Sequence, residues 1–202
     1  MQVYNLTADV EQFTANAYLL VTETPLLVDV GVDAAIVDRI TDHVEALDAV
    51  LITHQHRDHI DALDAVVDAF DPAVYAYAPL DHRTAALADG ETLQFDGVRL
   101  TAVHTPGHAT DHLALFTEQA LFSGDLVVYN DGAFDDGSFG RTDGPDQDRA
   151  TLVGSIETLL AQLPPTVTSM YPGHGDSLVE GDVRETIDRA LTRAKRFEPK
   201  YP

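Results

Sequence analysis

The stretch Ala49-Val50-Leu51-Ile52-Thr53-His54-Gln55-His56-Arg57-Asp58-His59-Ile60 decides how this chain is read. Its first five residues, AVLIT, have the length and apolar character of a buried strand. Four metal-ligating side chains, His54, His56, Asp58 and His59, follow within six positions. His54 and His56 are two apart, so an extended backbone aims both to one side. Asp58 and His59 fall where the chain turns into a helix, marked by Ile60, Leu63, Val66, Val67 and Phe70 at a helical period, so they aim elsewhere. A strand end feeding a loop is where α/β proteins place ligands. Imidazole with carboxylate suits zinc, and also iron or manganese. A lone histidine pair on a polar turn would carry little weight, but three histidines and an aspartate in six positions predict a metal site.

Working outward, the same arrangement recurs three times. His108 stands in HTPGHATDH after the apolar run 98–105, Asp125 closes ALFSGD, and His174 stands in YPGHGD after the run 166–171. In each, an apolar run ends in a ligand with glycine beside it, and glycine lets backbone approach a site closely. The remaining histidines are weaker candidates. His104 and His112 flank His108, and His112 reads either as a hydrogen-bonding support or as a satisfied structural histidine. His43 and His82 lie in charged, helical surroundings and read as solvated.

Further strands are predicted at 16–21, 26–30, 74–77, 92–95, 98–105, 113–116, 120–125 and 166–171, with a hairpin turn at Asp96-Gly97. Helices are predicted at 32–44, 152–163 (stopped by Pro164 and Pro165) and 182–197. Residues 129–147, rich in Gly and Asp, read as a long loop. This order suits an α/β fold with sheets packed face to face and helices outside, in four layers of helix, sheet, sheet and helix. No stretch reads as a linker, so residues 1–202 are expected to form one domain.

Composition narrows the function. The chain has 34 acidic against 12 basic residues, a formal net charge of -22. Twenty-five of the acids are aspartates, and the only lysines are Lys195 and Lys200. Such charge repels itself in the compact state and is relieved by salt. An Asp-rich, Lys-poor surface resembles that of halophilic cytoplasmic proteins. No basic stripe is present to meet nucleic acid or an anionic membrane. No cysteine exists, which excludes thiolate ligands and a cysteine nucleophile. The start lacks the basic and apolar regions of a signal peptide, and no apolar run reaches the ~20 residues of a membrane span, so a cytoplasmic protein is expected.

THQHRDH at 53–59 resembles the HxHxDH motif of the metallo-β-lactamase superfamily, and TPGHATDH, LFSGD and YPGHGD resemble its later ligand motifs in the same order. The resemblance runs from about Asn16 to about Phe197 and implies the αββα sandwich. It implies two divalent cations, zinc first, one held by His54, His56 and His108, the other by Asp58, His59 and His174, with Asp125 bridging. Asp58 would also steady a nucleophilic hydroxide shared by the metals. Within the superfamily, LFSGDLVVYNDGAFDDGSFGRTD at 121–143 is similar to the glyoxalase II group, which implies hydrolysis of a small thioester. That segment also resembles persulfide dioxygenases, which would hold one iron with His54, His108 and Asp125. A lactone or other ester-like bond is a further alternative. Full-length glyoxalase II carries an added helical domain for glutathione, whereas this sequence ends at Pro202, so the glutathione moiety is not expected to carry over. Asp176 and Ser177 stand where the group often has threonines, and are expected to alter the rim. Arg141 and Asp143 are expected to pin the long loop or, for Arg141, to orient a substrate carboxylate. Tyr129 and Asn130 are candidates, by position alone, for lining the cleft.

Overall fold

Alternation along the central strands sorts their side chains into different layers. In the computed structural model, which describes residues 2–198, one sheet contains β1 (Gln2–Asn5), β2 (Tyr18–Val21), β3 (Leu26–Val28), β4 (Ala49–Leu51), β5 (Ala73–Ala76) and β6 (Ala85–Ala86) in sequence order. Met1 and residues 199–202 of the expected unit lie outside the described residues. β1, β2 and β3 run antiparallel, and β3 to β6 run parallel. Parallel neighbours need a crossover. Here α1 (Ile36–Thr41) joins β3 to β4, and α2 (Arg57–Ile60) with α3 (Leu63–Phe70) joins β4 to β5.

The second sheet is a meander of β7 (Thr92–Phe95), β8 (Val98–His104), β9 (Leu113–Phe116) and β10 (Ala120–Gly124). A short ribbon of β11 (Val127–Val128) and β12 (Ser138–Phe139) and the helix α4 (Arg149–Gln162) follow. β13 (Ser169–Pro172) then pairs parallel to β10, and α5 (Val183–Lys195) follows. α4 is capped by Asp148, whose carboxylate accepts from the Thr151 N–H at 2.7 Å, and α5 by Asp182, which accepts from the Glu185 N–H at 2.9 Å.

Three buried clusters establish the layering. Leu19, Leu27 and Val50 point outward onto Ile36, Ile40, Leu63 and Val66 of the first helical layer. Their neighbours Tyr18, Leu20, Leu26, Val28 and Leu51 point the other way, onto Leu100, Ala102, Leu113, Leu115 and Phe122 of the second sheet. Leu121 and Met170 face Leu152, Ile156, Leu159, Ile187 and Ala190 of α4 and α5. This is the expected αββα sandwich. Among the described residues, no helix is long and apolar enough to cross a membrane.

Some expected elements change length or type. The strand at 26–30 stops at Val28, because Asp29 turns into the left-handed region at φ 57°. The helix at 32–44 keeps only Ile36–Thr41. His82 sits in a turn rather than a helix, also at positive φ, bonded to Asp64 at 2.7 Å. The loop at 129–147 contains β12 and is lashed down by α5: Arg193 pairs with Asp136 at 2.8 Å and lies over the Phe134 ring.

The β3, β4, β8, β10 and β13 strands all end toward one edge of the sandwich, so residues just past them meet there. The inter-sheet layer that holds those ends together is filled centrally by Phe122, which stacks on Tyr171. Phe122→Ala is expected to cost about 3–5 kcal/mol. Denaturant unfolding at fixed salt would measure it, and a loss below about 1 kcal/mol would show that this layer does not carry the fold.

Candidate metal centre

Each of the seven candidate ligands follows a buried strand. His54, His56, Asp58 and His59 follow β4, His108 follows β8, Asp125 follows β10, and His174 follows β13. The fold brings all seven together. Three donor groups have ligand atoms within 4.8 Å of one another: His54 with His56 and His108; His54 with His59 and Asp125; and Asp58 with His59 and His174.

Hydrogen bonds around the site fix which ring nitrogens face inward. The Arg141 carbonyl can only accept, so His108 donates from Nδ1 at 2.9 Å and turns the Nε2 lone pair inward. The Thr53 hydroxyl donates to Asp29 at 2.7 Å, so it accepts from His54 Nδ1 at 3.1 Å and leaves His54 Nε2 bare as well. His59 donates from Nδ1 to Asp29 Oδ2 at 2.7 Å, again freeing Nε2. His56 Nδ1 lies 3.0 Å from His54 Nε2 and 2.9 Å from His108 Nε2.

The carboxylates enter the same space. Asp125 Oδ2 is 3.3 Å from His108 Nε2 and 3.5 Å from His174 Nε2, while its Oδ1 is 3.6 Å from His59 Nε2. Asp58 Oδ2 is 3.0 Å from His174 Nε2 and 4.0 Å from His59 Nε2. His59 Nε2 and Asp125 Oδ1 are buried without a hydrogen-bond partner. A buried lone pair aimed at a buried carboxylate is costly unless a cation lies between them. A proton on His59 answers the problem only in part. Burial pushes His59 down, but Asp29 and Asp125 outweigh it and hold the ring well above its usual range. Even so, 3.6 Å is too long for a hydrogen bond.

The other groups favour the forms that bind metals. Burial, then the charge of His59, holds His54 well below the usual imidazole range, and burial holds His108 below it. Burial pushes Asp125 up, but His174, His59 and His108 outweigh it and hold its carboxyl well below the usual range. Asp58 is lowered likewise, with burial outweighed by His174 and His59. Neutral imidazoles and ionised carboxylates are the ligand forms of divalent cations, so the residues fit a metal pair.

Two histidine readings now resolve. His112 is not in the donor array: its Nε2 accepts from the Asp125 N–H at 3.0 Å, so its Nδ1 donates to Thr105 at 2.8 Å. It therefore positions Asp125. His43 is exposed and stacked on Tyr4. Gly173 explains one glycine of YPGHGD, because a Cβ there would lie 2.2 Å from Asp125 Oδ1.

A cleft of about 670 Å³ opens onto the array, lined outside the ligands by Phe13, Val128, Asp131, Arg141, Asp143 and Gln147 among others. Arg141 and Asp143 form a bidentate pair at 2.9 and 2.7 Å at its mouth, and the Arg141 carbonyl anchors His108. Tyr129 and Asn130 are not among the cleft-lining residues. Tyr129 packs against the α4–α5 core, and Asn130 bonds Asp176. Two residues of the site escaped the sequence reading. Asp29 is 2% exposed and accepts from the Thr53 N–H, the Thr53 hydroxyl and His59. Its one signal was an acid closing the apolar run LLVDV. Phe13 stacks on His174 with ring centroids 5.2 Å apart.

Asp29→Ala leaves His59 Nδ1–H and the Thr53 donors without their acceptor. It is expected to weaken metal binding by about 10–100-fold. Titration of metal-stripped protein with zinc, read by calorimetry, tests this. Unchanged affinity would mean that Asp29 supports the fold alone.

Residues 10–174 match the family model described as the metallo-beta-lactamase superfamily. The protein named thioesterase pkgB from Emericella nidulans is 34% identical over 195 residues, 92% of this chain and 52% of that protein. A hydroxyacylglutathione hydrolase from Aeromonas salmonicida is 34% identical over 107 residues, 50% of this chain and 42% of that protein. The chain thus spans about half the length of these curated relatives. The crystal structure of TTHA1623 in a di-iron-bound form superposes with a TM-score of 0.66 at 28% identity, covering 87% of this chain and 93% of that one. Fold, motif order and family match agree: the chain belongs to the metallo-β-lactamase superfamily.

Proposed function

We propose that this chain is a metal-dependent hydrolase of small acyl-thiol esters. His54, His56 and His108 would hold one divalent cation and Asp58, His59 and His174 a second, with Asp125 shared. The observation that carries the metal reading is the buried pair of His59 Nε2 and Asp125 Oδ1, which face each other at 3.6 Å with no hydrogen bond between them. The thioester part is supported by the likeness to thioesterase pkgB over 92% of the chain. The di-iron form of TTHA1623 supports two cations rather than one. Zinc is the proposed cation, since its usual ligands are histidine and carboxylate.

A bound metal pair supplies Lewis acidity and lowers the pKa of water toward neutrality. The protein does the rest by position. No serine, threonine, cysteine or lysine is among the described residues lining the cleft, and the histidines, Asp58 and Asp125 there would be engaged with metal, so water is the proposed attacking group. Asp29, Thr53 and the Arg141 carbonyl hold the His59, His54 and His108 rings in the tautomers described above. His112 fixes the backbone of Asp125. Asp58, ionised and directed at His174, stays an acceptor able to orient the attacking water. Water adds to the thioester carbonyl, the C–S bond breaks, and carboxylate, thiolate and protons result. The thiolate is a good leaving group and requires no donor from the protein.

Protein purified without added metal is expected to carry about two metal ions per chain. His59→Ala and His174→Ala are each expected to lose thioesterase activity by a factor on the order of 10² or more. One iron per chain, with oxygen uptake on a thiol persulfide and no thioester turnover, would replace this reading by a dioxygenase. Lactone turnover without thioester turnover would replace it by another ester hydrolase.

The charge of -22 extends the proposal to a salt-rich cytoplasm. Around α1 and α3, Asp38, Asp42, Asp61, Asp64, Asp68 and Asp71 are all exposed. Arg57 pairs with Asp61 and His82 with Asp64, and the remaining repulsion is relieved by screening. Circular dichroism and activity are expected to decline together below about 1 M potassium chloride. Full activity in dilute buffer would remove the salt-adapted reading and leave the hydrolase untouched.

A further inference from the structure

Phe13 is 75% exposed, the most exposed of the large apolar side chains among the described residues. It lies in the segment joining β1 to β2, and the end of that segment is tied to the metal centre. Ala15 N–H donates to the Asp58 carbonyl at 3.1 Å, and Asn16 N–H to the Gly173 carbonyl at 2.7 Å. The Asn16 side chain donates to the carbonyls of Pro172 and Gly175. The exposed ring is therefore held beside the donor array, stacked on His174 with an interplanar angle of 17°. Exposing an aromatic ring costs free energy that a bound apolar group would recover.

Phe13 also forms a partition. The main cleft of about 670 Å³ and a neighbouring cavity of about 450 Å³ share Phe13, His174 and Gly175 in their walls. The far cavity is otherwise mostly polar, with Asn5, Gln12, Asp176 and Ser177 among its lining residues. The ends of the main cleft differ in chemistry. Phe13 flanks the trio that includes His174, and Arg141 flanks the trio that includes His108. The Arg141 end carries Asp143, paired with Arg141, and Gln147, and suits the polar amide groups of a thiol carrier. The Phe13 end supplies an apolar wall through the exposed ring itself.

We infer that Phe13 is a specificity-determining residue: it packs against the acyl half of the substrate and selects thioesters whose acyl group is aromatic or otherwise bulky and apolar. This rests on the thioesterase reading above. Apolar packing of one ring discriminates by the modest factors that single hydrophobic contacts allow.

The test compares acetyl and phenylacetyl thioesters of N-acetylcysteamine on metal-loaded wild type, Phe13→Ala and Phe13→Leu. Metal content is measured on each. The wild type is expected to favour phenylacetyl in kcat/KM by a factor on the order of 10 or more. Phe13→Ala should lose that preference mainly through KM, and Phe13→Leu should restore part of it, at equal metal content. Calorimetry with the unreactive thioether S-(2-phenylethyl)-N-acetylcysteamine gives a readout independent of turnover, and its binding should weaken on the order of tenfold in Phe13→Ala. An unchanged acyl preference and unchanged thioether binding in Phe13→Ala would overturn the role of Phe13 and leave the thioesterase intact. Absence of turnover on every thioester would overturn the thioesterase reading instead. Thioether binding that still depends on Phe13 would then keep the apolar subsite, and binding that does not would remove it too.

Discussion

Ligand atoms converge at one edge of this sandwich with too few hydrogen bonds among them, and that imbalance governs the site. Five imidazoles and two carboxylates occupy one edge of the sandwich, and His54, His59 and His108 each commit an Nδ1 proton to a partner outside it. An array of this kind repels itself unless cations occupy it. The surrounding hydrogen bonds keep it from relaxing into self-satisfied pairs. Asp29 is central here, because one carboxylate accepts from both the histidine of α2 and the residue that orients His54. A backbone turn in the left-handed region at Asp29 brings that carboxylate across from β3 to the end of β4.

The fold supplies convergence by direction. β8, β10 and β13 run the same way in one sheet, and β3 and β4 run together in the other. Their ends open at one edge, where loops can enter without breaking a ladder. Close approach then limits which residues are admissible. At Gly124, with φ 49°, a Cβ would lie 2.5 Å from His112 Nε2, the atom that accepts from Asp125 N–H. Packing, backbone conformation and ligand placement are thus set by the same few residues.

The legible part of the site was the part whose signal is local. An apolar run followed by a histidine or aspartate is readable four times, three of them with a glycine beside the ligand, and all seven residues so found meet in space. Asp29 was illegible for a compositional reason: in a chain with 25 aspartates, one more at a strand end carries no weight by itself. Phe13 was illegible because a single apolar residue in a polar segment resembles any small core contact. The expectation for Tyr129 failed on the two-residue period of a strand. Val127 and Tyr129 share the face packed on α4 and α5, so Val128 between them faces the cleft. The two-residue strands β6, β11 and β12 are too short to show any period. The four layers, by contrast, were legible because strand alternation and helix period extend over the whole chain.

Charge links the site to the stability of the whole protein. The chain carries a net charge of -22, and two of the acids in that count, Asp125 and Asp29, are buried at the site. Without metal, a proton on His59 offsets part of it, since Asp29 and Asp125 outweigh burial in setting that ring's protonation. A divalent cation would offset more, because the additional proton sits on Nε2, where Asp125 Oδ1 at 3.6 Å is too far for a hydrogen bond. On the proposed reading, metal binding would displace that proton and stabilise the folded state over the unfolded one, where the seven candidate ligands are scattered from residue 54 to residue 174. Salt acts on the exposed acids and metal on the buried ones. The two stabilisations are additive to the extent that the surface aspartates around α1 and α3 lie more than a Debye length from the donor array, and at molar salt that length is only about 3 Å.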